Sequence, residues 1–537
     1  MVFHRRFDVF FLLCIPWAAF SSVHTASTSD QLLDRLSRVE PGDTILVQPG
    51  EYTDHTVNSS HEAFNPARSG TAQRPIVIRS AQLHQAVLRA PTDTRPAMGI
   101  YQREHIIIEG FRVEGAIGFR ENANHGILRN CDISRGYIQG GDKSLHWGAY
   151  IQTSEHCIIE NNYVHDMAPI GSGTHNGACI MVFGSSNNII QNNTADGGGI
   201  MFSTFGQKSG PVCDNIWRRN IARNASKSAF LGMGSTDETR YSERNVYYEN
   251  IAMNMETFID LNHNCNEWKI YNNTAYNVRV FLYGGYQSAD KNNTAMEVWN
   301  NIGGRRMYRQ NKSTPSSWND LIVFSDVNVF PQDACSWQSD SRTMSLSEWQ
   351  QQTGLDINSM QMKPEFVDAE GGDFTLPENS PLINAGIERG SYSQGYEGRP
   401  PDIGAYPRNN DNTLIGHDWR LQKIGDTHPR PKRSSTHETS AVDPSSAHVK
   451  NATGSARGFI ERTELNLILP SDHSFTAARV YDMSGRTVAR FTLAQINSGG
   501  IYRLPLGDRA SRLGSKPLLC ELTGAQARSV VRLSTRQ

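Results

Sequence analysis

The chain lacks most of what would mark a metalloprotein, a membrane protein or a helical one. Its 537 residues hold eight cysteines, none in C-x-x-C spacing, which argues against a zinc framework. Charge is scarce and of no single sign, with 52 Lys and Arg against 54 Asp and Glu. That balance removes any bulk argument for nucleic acid or a lipid surface. Beyond the N-terminal leader no apolar run approaches the ~18 residues a membrane span needs. The central repeats carry no helical period.

What is present is a ladder of short repeats from Ile106 to Asn301, each an apolar run meeting an asparagine. The signatures include IIENNYV (Ile158–Val164), IIQNNTA (Ile189–Ala195), IWRRNIA (Ile216–Ala222), VYYENIA (Val246–Ala252) and EVWNNIG (Glu297–Gly303). Aligned, they give the column Gly110, Asn130, Asn162, Asn193, Asn220, Asn250, Asn273 and Asn301, spaced by 20, 32, 31, 27, 30, 23 and 28 residues. A period of this size with strand signals predicts stacked turns of parallel strands, with extra residues bulging out as loops. Asparagine suits the column because it tolerates left-handed backbone and its amide can bond the next turn. The NNT triplets at Asn192, Asn272 and Asn292 therefore read as ladder rather than glycosylation sites. Glycine is abundant, 45 residues, as a turn-rich β protein requires.

Taken in order, His4, Arg5 and Arg6 precede the apolar run Val9–Phe20 and small residues to Ala26, which predicts a secretory signal over 1–26. Cys14 lies in that leader. The remaining seven cysteines are an odd number, so at least one thiol stays free or pairs between chains. Ser29 or Asp30 can cap a helix carrying Leu32, Leu33, Leu36 and Val39 on one face, a plug for the open end of a stack. Residues 27–407 are expected to form the stack, 408–455 a Pro/Ser/Thr-rich linker, and 456–537 a separate domain with strand alternation.

Gly42–Tyr52 and Gly70–Ile78 resemble the opening of secreted right-handed parallel β-helix proteins of the pectate-lyase-like class, including relatives of alginate and chondroitin lyases. Phe366–Gly386 and Asp402–Pro407 resemble the tail of the same class. The resemblance implies an all-β fold with an N-terminal cap helix, a polysaccharide as substrate and a monomer. Calcium is possible in such proteins, and the sequence locates no site for it. In the last segment VYDMSGR (Val480–Arg486) resembles the C-terminal sorting domain of the bacterial type IX secretion route. That implies the secretion machinery as a partner and a secreted or surface-attached location. An ordinary small β-sandwich is the alternative.

Strand parity locates a working face. The strands GAYIQ (Gly148–Gln152), GACIM (Gly177–Met181), SAFLG (Ser228–Gly232), ETFID (Glu256–Asp260) and RVFLY (Arg279–Tyr283), aligned first residue to first, put Glu256, Asp260 and Arg279 in the odd columns. Burying those charges would be costly, so the odd columns should face out. That exposes the aromatics Tyr150, Phe230, Phe258, Phe281 and Tyr283, a stripe on which a sugar chain could stack beside Asp260. Two Gly-rich insertions end at His146 and His175, His263 follows the fourth strand, and Lys227 and Arg279 supply positive charge.

Elimination from a uronic acid polymer needs its carboxylate neutralised, a proton abstracted and the leaving oxygen protonated. His146, His175, Lys227 and Arg279 are the candidates for this work. The related lyases use a Lys and an Arg on neighbouring turns. Lys227 matches the first, but Met255 stands at the second offset. A glycoside hydrolase would need two carboxylates ~5–9.5 Å apart. Glu256 and Asp260 lie too far apart along one strand, so Asp237 or Glu238 would have to join Asp260. A surface ion pair between Glu256 and Arg279 explains both without function. A non-catalytic carbohydrate-binding adhesin is the third reading.

Overall fold

The computed structural model describes residues 21–419 except 57–61, 93, 136, 139–145, 168–177, 207–209, 235–240, 285–292, 311–317, 338–341, 390–399 and 407–414, together with the backbone of seven strands between Arg457 and Arg536. Twelve short strands, from Val23–Ala26 to Ile322–Asp326, form one parallel sheet in which each strand pairs with its counterpart one turn later. A second run of parallel pairings, from Gly50–Tyr52 to Asp333–Trp337, makes the other walls. The result is a right-handed parallel β-helix, the sense that parallel crossovers almost always take.

Alternation along each strand sends one column inward. Ile78, Ile108, Leu128, Ile159, Ile190, Trp217, Tyr247 and Ile270 occupy successive turns at one register position, all buried. Each such side chain contributes ~1.5–3 kcal/mol on leaving water.

The asparagine column divides into two. Arg129 pairs with Glu160, so Asn130 stands beside Asn161, and Cys131 stands beside Asn162. The position occupied by Gly110, Asn130, Asn161, Asn192, Arg219, Glu249, Asn272 and Asn300 is left-handed at every turn, with φ between 50 and 77°. The next position is the buried ladder. Asn162, Asn193, Asn220, Asn250, Asn273 and Asn301 each donate a backbone N–H to the following asparagine's Oδ1 at 3.0–3.1 Å, and Asn328 ends the row. Gly110 and Asn130 therefore belong to the bend rather than to the ladder. A second ladder joins Asn188, Asn215 and Asn245.

The N-terminal end is closed by the helix Ser29–Arg38, with Leu32 and Leu36 buried. Its cap is Thr28, whose hydroxyl accepts from the Gln31 N–H at 3.2 Å, rather than Ser29 or Asp30. At the far end the helix Leu346–Thr353 begins on a capping box from Ser345 and Glu348. Its Trp349 packs on Tyr308, 4.9 Å between ring centres, and donates from Nε1 to buried Asp356 at 3.0 Å.

The helical turns end near Met360–Gln361. Residues 366–389 and 400–406 then run back along the outside. Asn272 donates to the carbonyl of Asp402 at 2.7 Å, and Ala405 N–H donates to Thr274 Oγ1 at 2.9 Å. The short stretch Ile415–Trp419, within the segment expected to be linker, continues this path. Gly416 N–H donates to the Arg219 carbonyl at 2.8 Å, and Asp418 N–H to Asn161 Oδ1 at 2.8 Å.

Cys131, Cys157, Cys179, Cys213 and Cys265 are free and buried. Burial pushes the first three thiols up to about 12. Among the described residues no helix is long and apolar enough to cross a membrane. The strands from Arg457 to Arg536 cluster as a second compact unit. All but one of their pairings are antiparallel. Arg528–Arg536 pairs with Leu518–Gly524 along one half and, in parallel, with Arg457–Glu461 along the other. One strand thus joins all seven into a single continuous row.

Candidate functional site

The site sheet is built from the strands His146–Gln152, Ala178–Phe183, Thr194–Phe205, Ile221–Met233, Ile251–Asn262, Thr274–Gly284 and Arg306–Gln310. Their pairings fix the register. Tyr150 lies beside Met181, Met181 beside Ser203, Ser203 beside Leu231, Leu231 beside Asp260, Asp260 beside Tyr283, and Tyr283 beside Arg309. Apart from Ser203 this outward column is apolar up to Leu231, and it is polar over its last three turns.

The stripe expected from parity does not exist as drawn. Phe230, Phe258 and Phe281 are 0–1% exposed and belong to the interior core. Phe258 and Phe281 stack there at 4.7 Å, and Phe230 meets Phe258 edge-on at 5.4 Å. Equating the first residues of the five segments slips the register by one at some turns, and a one-residue slip exchanges the two faces. Ser228 pairs with Thr257, not with Glu256. The strand Ile221–Met233 also carries an irregularity between Arg223 and Ser228 relative to its neighbour. Leu231, expected inside, faces out.

Tyr150 does face out, but it is 4% exposed. It packs with Trp147 (5.8 Å), Ala178, Met181, Ile200, Phe205 and Leu231 in an apolar layer on the outer surface. It is therefore a covered residue, not an open stacking platform.

The polar end is different. Asp260 is half-buried, and its Oδ1 is sealed from water without a hydrogen-bond partner among the described residues. The hydroxyls of buried Ser203 and Ser228, on the two preceding turns, share that condition. Burial pushes the Asp260 carboxyl up to about 7, while the positive charges of Lys227 and Arg309 pull it down. Burial also raises the Tyr283 phenol, against the pull of Arg309. The Arg309 guanidinium sits over the Tyr283 ring, 5.0 Å from its centre, a cation–π contact that fixes both planes.

Ser228 pairs with Thr257 and Thr257 with Val280. Ser228, which follows Lys227, therefore stands across from the residue that follows Glu256, not Met255, and Arg279 precedes Val280 on the next turn. Glu256 and Arg279 form an ion pair, the arrangement their equal offsets suggested. His263 lies in the turn after Asn262 with φ of 37°, and burial lowers its imidazole. The His146 side chain, His175, Asp237 and Glu238 lie outside the described residues.

Arg306 and Arg309 escape the parity argument, which ends at the fifth strand. RMYRQ (Arg306–Gln310) follows Asn301 as each earlier strand follows its asparagine, and that spacing is the available signal. Among the described residues no three His, Cys, Asp or Glu side chains gather as a metal site. The charged groups acting on Asp260 are cations, which is unfavourable surroundings for a calcium ion.

No family model matches the chain. It is similar to pectate lyase L of Dickeya dadantii (strain 3937), with 23% identity over 418 residues, 70% of this chain and 84% of that one. Pectate lyase L of Dickeya chrysanthemi matches at the same identity and coverage. Among solved structures, pectate lyase Pel9A aligns over 72% of this chain and 97% of its own, at 19% identity and a TM-score of 0.35. An alginate lyase from Paenibacillus sp. str. FPU-7 aligns over 64% and 98%, at 15% identity and a TM-score of 0.32. In fold the chain is a right-handed parallel β-helix.

Proposed function

We propose that the chain is a polysaccharide lyase that cleaves a uronic-acid-containing polymer by β-elimination at the polar end of the outward column. The observation that carries this is the shielded Asp260 carboxyl acted on by Lys227 from the preceding turn and by Arg309 from two turns on. Its surroundings are cationic, which favours an acidic polymer. Its described neighbours include no second carboxylate of the kind paired hydrolysis needs. The relatives named pectate lyase L make pectate the first substrate to try.

In this reading the polymer lies along the turns with a uronate carboxylate against Arg309, whose fixed fork suits it. Arg279 is already engaged by Glu256 and serves the rim. Lys227 is the described group able to take the proton, with His146 and His175 as further candidates. Tyr283 offers its ring beneath a sugar. We further propose that the leader and the VYDMSGR domain direct the protein to the outside of the cell, the latter through type IX secretion.

The test is turnover of polygalacturonate, alginate and chondroitin, followed by ultraviolet absorbance of the unsaturated product. The parent should produce that chromophore on at least one polymer. Lys227→Ala should lower kcat by ~10²–10⁴-fold, the usual worth of a positioned proton acceptor. New reducing ends without the chromophore would make the protein a hydrolase. Retention of polymer without products would make it a binder.

A further inference from the structure

The lyase reading leaves the leaving oxygen without a proton donor, and any assignment of that donor rests on the reading itself. Asp260 lies one turn after Leu231 and one turn before Tyr283, on the outward side of the sheet. Its Oδ1 is sealed and accepts no hydrogen bond from the described residues. An ionised carboxylate without donors is expensive to bury, whereas a protonated one carries a hydrogen in need of an acceptor. The titratable and charged groups that act with it are Lys227 from the preceding turn, Tyr283 and Arg309 from the following turns, and the Cys265 thiol just beyond its own strand.

We propose that Asp260 is the general acid of the elimination, giving its proton to the glycosidic oxygen as Lys227 takes the proton from the carbon beside the uronate carboxylate. Lys227 acts in its neutral amine form, whose lone pair forms the new N–H bond. The electrons of the broken C–H bond become the C=C double bond, and those of the broken C–O bond stay on the leaving oxygen, which Asp260 protonates. Lys227 ends as an ammonium and Asp260 as a carboxylate. Those opposite charges arise within mutual reach, so each stabilises the other. Exchange with water, which removes a proton from Lys227 and returns one to Asp260, restores both groups with no net change in protons. The carboxyl's displacement to about 7 by burial keeps it able to donate near neutrality, as an acid catalyst must.

Asp260→Asn keeps size and polarity but cannot transfer a proton. Parent and variant are compared on polygalacturonate and alginate, and on a uronic acid carrying fluorine in place of the 4-oxygen, since fluoride departs without a proton. On the polymer the parent cleaves, the variant should lose ~10²–10⁴-fold in kcat with little change in KM. The parent's rate should fall above about pH 7 as Asp260 ionises, and the variant should lack that alkaline limb. On the fluoro substrate the variant should stay within a few-fold of the parent, while Lys227→Ala loses both activities. Equal loss of Asp260→Asn on both substrates would show a positional role only and overturn the proposal, as would retained polymer turnover. A parent that converts neither polymer nor the fluoro substrate overturns the lyase reading, and this one with it.

Discussion

At the level of single residues, the ladder shows why asparagine recurs. The Asn193 Nδ2 donates to the Ile159 carbonyl at 2.9 Å and to Asn220 Oδ1 at 3.1 Å, while its Oδ1 accepts from the Asn162 backbone N–H at 3.1 Å and from Asn162 Nδ2 at 3.0 Å. No other side chain offers both roles at that size. Asn193→Ala should therefore strand buried donors and an acceptor on three turns. At ~1–3 kcal/mol for each stranded group, partly relieved by relaxation, a loss of about 2–4 kcal/mol is expected. Denaturant unfolding with an unchanged slope would measure it, and a midpoint equal to the parent's would refute it. Phe258→Ala belongs to the same scale. Phe258 is fully buried against Phe281 and Phe230, so the expected effect is about 3–5 kcal/mol of stability rather than a selective loss of sugar binding. The two residues also show what the sequence could reveal. The ladder was legible because each repeat carries its own asparagine, even with Gly110 and Asn130 assigned one position off. The face of Phe258 was not legible, because it depends on pairing between strands that the chain itself does not number.

At the level of elements, the returning stretch Ile415–Trp419 is held by aromatic and titrating contacts, although its composition reads as linker. His417 stacks on Tyr163 at 4.8 Å, and Tyr163 stacks on His165 at 4.4 Å. Trp419 meets His84 edge-on at 4.1 Å and donates from Nε1 to the Asn161 carbonyl at 3.2 Å. The two histidines flanking Tyr163 are displaced in opposite directions. Burial, with Arg223 and His84 adding to it and Asp418 and Asp132 opposing it, lowers His417 to about 4. The hydrogen bond to Asp132, at 2.7 Å, is the largest cause raising His165. For His417 the docked value lies below the ordinary 6.5, so its contribution is complete above pH 6.5 and is lost as pH falls towards 4. For His165 the sign reverses. Its contribution is complete below pH 6.5 and is lost as pH rises through its raised value. Asp132 and Asp166, which raise His165, belong to the β-helix, so docking follows His417 and should be complete above pH 6.5 and weaken as pH falls towards 4. Hydrogen exchange at the Gly416, His417 and Asp418 amides, corrected for intrinsic rates, should show protection falling between about pH 7 and pH 4. His417→Gln should flatten that acid limb. Undiminished protection of the parent at the acid end would show that His417 does not govern docking.

At the level of the whole chain, the sequence carries two different kinds of order. Up to residue 419 the described chain is closed by its own devices, the Thr28-capped helix at one end and the Trp349–Asp356 contact at the other. The returning stretch lies over the left-handed bend between them. The strands from Arg457 to Arg536 pair only among themselves, with Arg528–Arg536 at their centre. A β-helix with both ends covered presents no bare strand edge that would need a further domain to protect it. Removing residues 456–537 should then leave the β-helix with the melting temperature of the full chain and with the same turnover of any polymer the full chain cleaves. If the removed part serves export, as VYDMSGR suggests, the truncated protein expressed in a bacterium with a type IX route should be folded, active after extraction and retained in the periplasm. Fusing residues 456–537 to an unrelated folded reporter should carry that reporter outside. Normal release of the truncated protein, with the fused reporter left inside, would assign the domain some role other than export. A truncated chain that unfolds or aggregates would instead show that the β-helix depends on those strands for its stability.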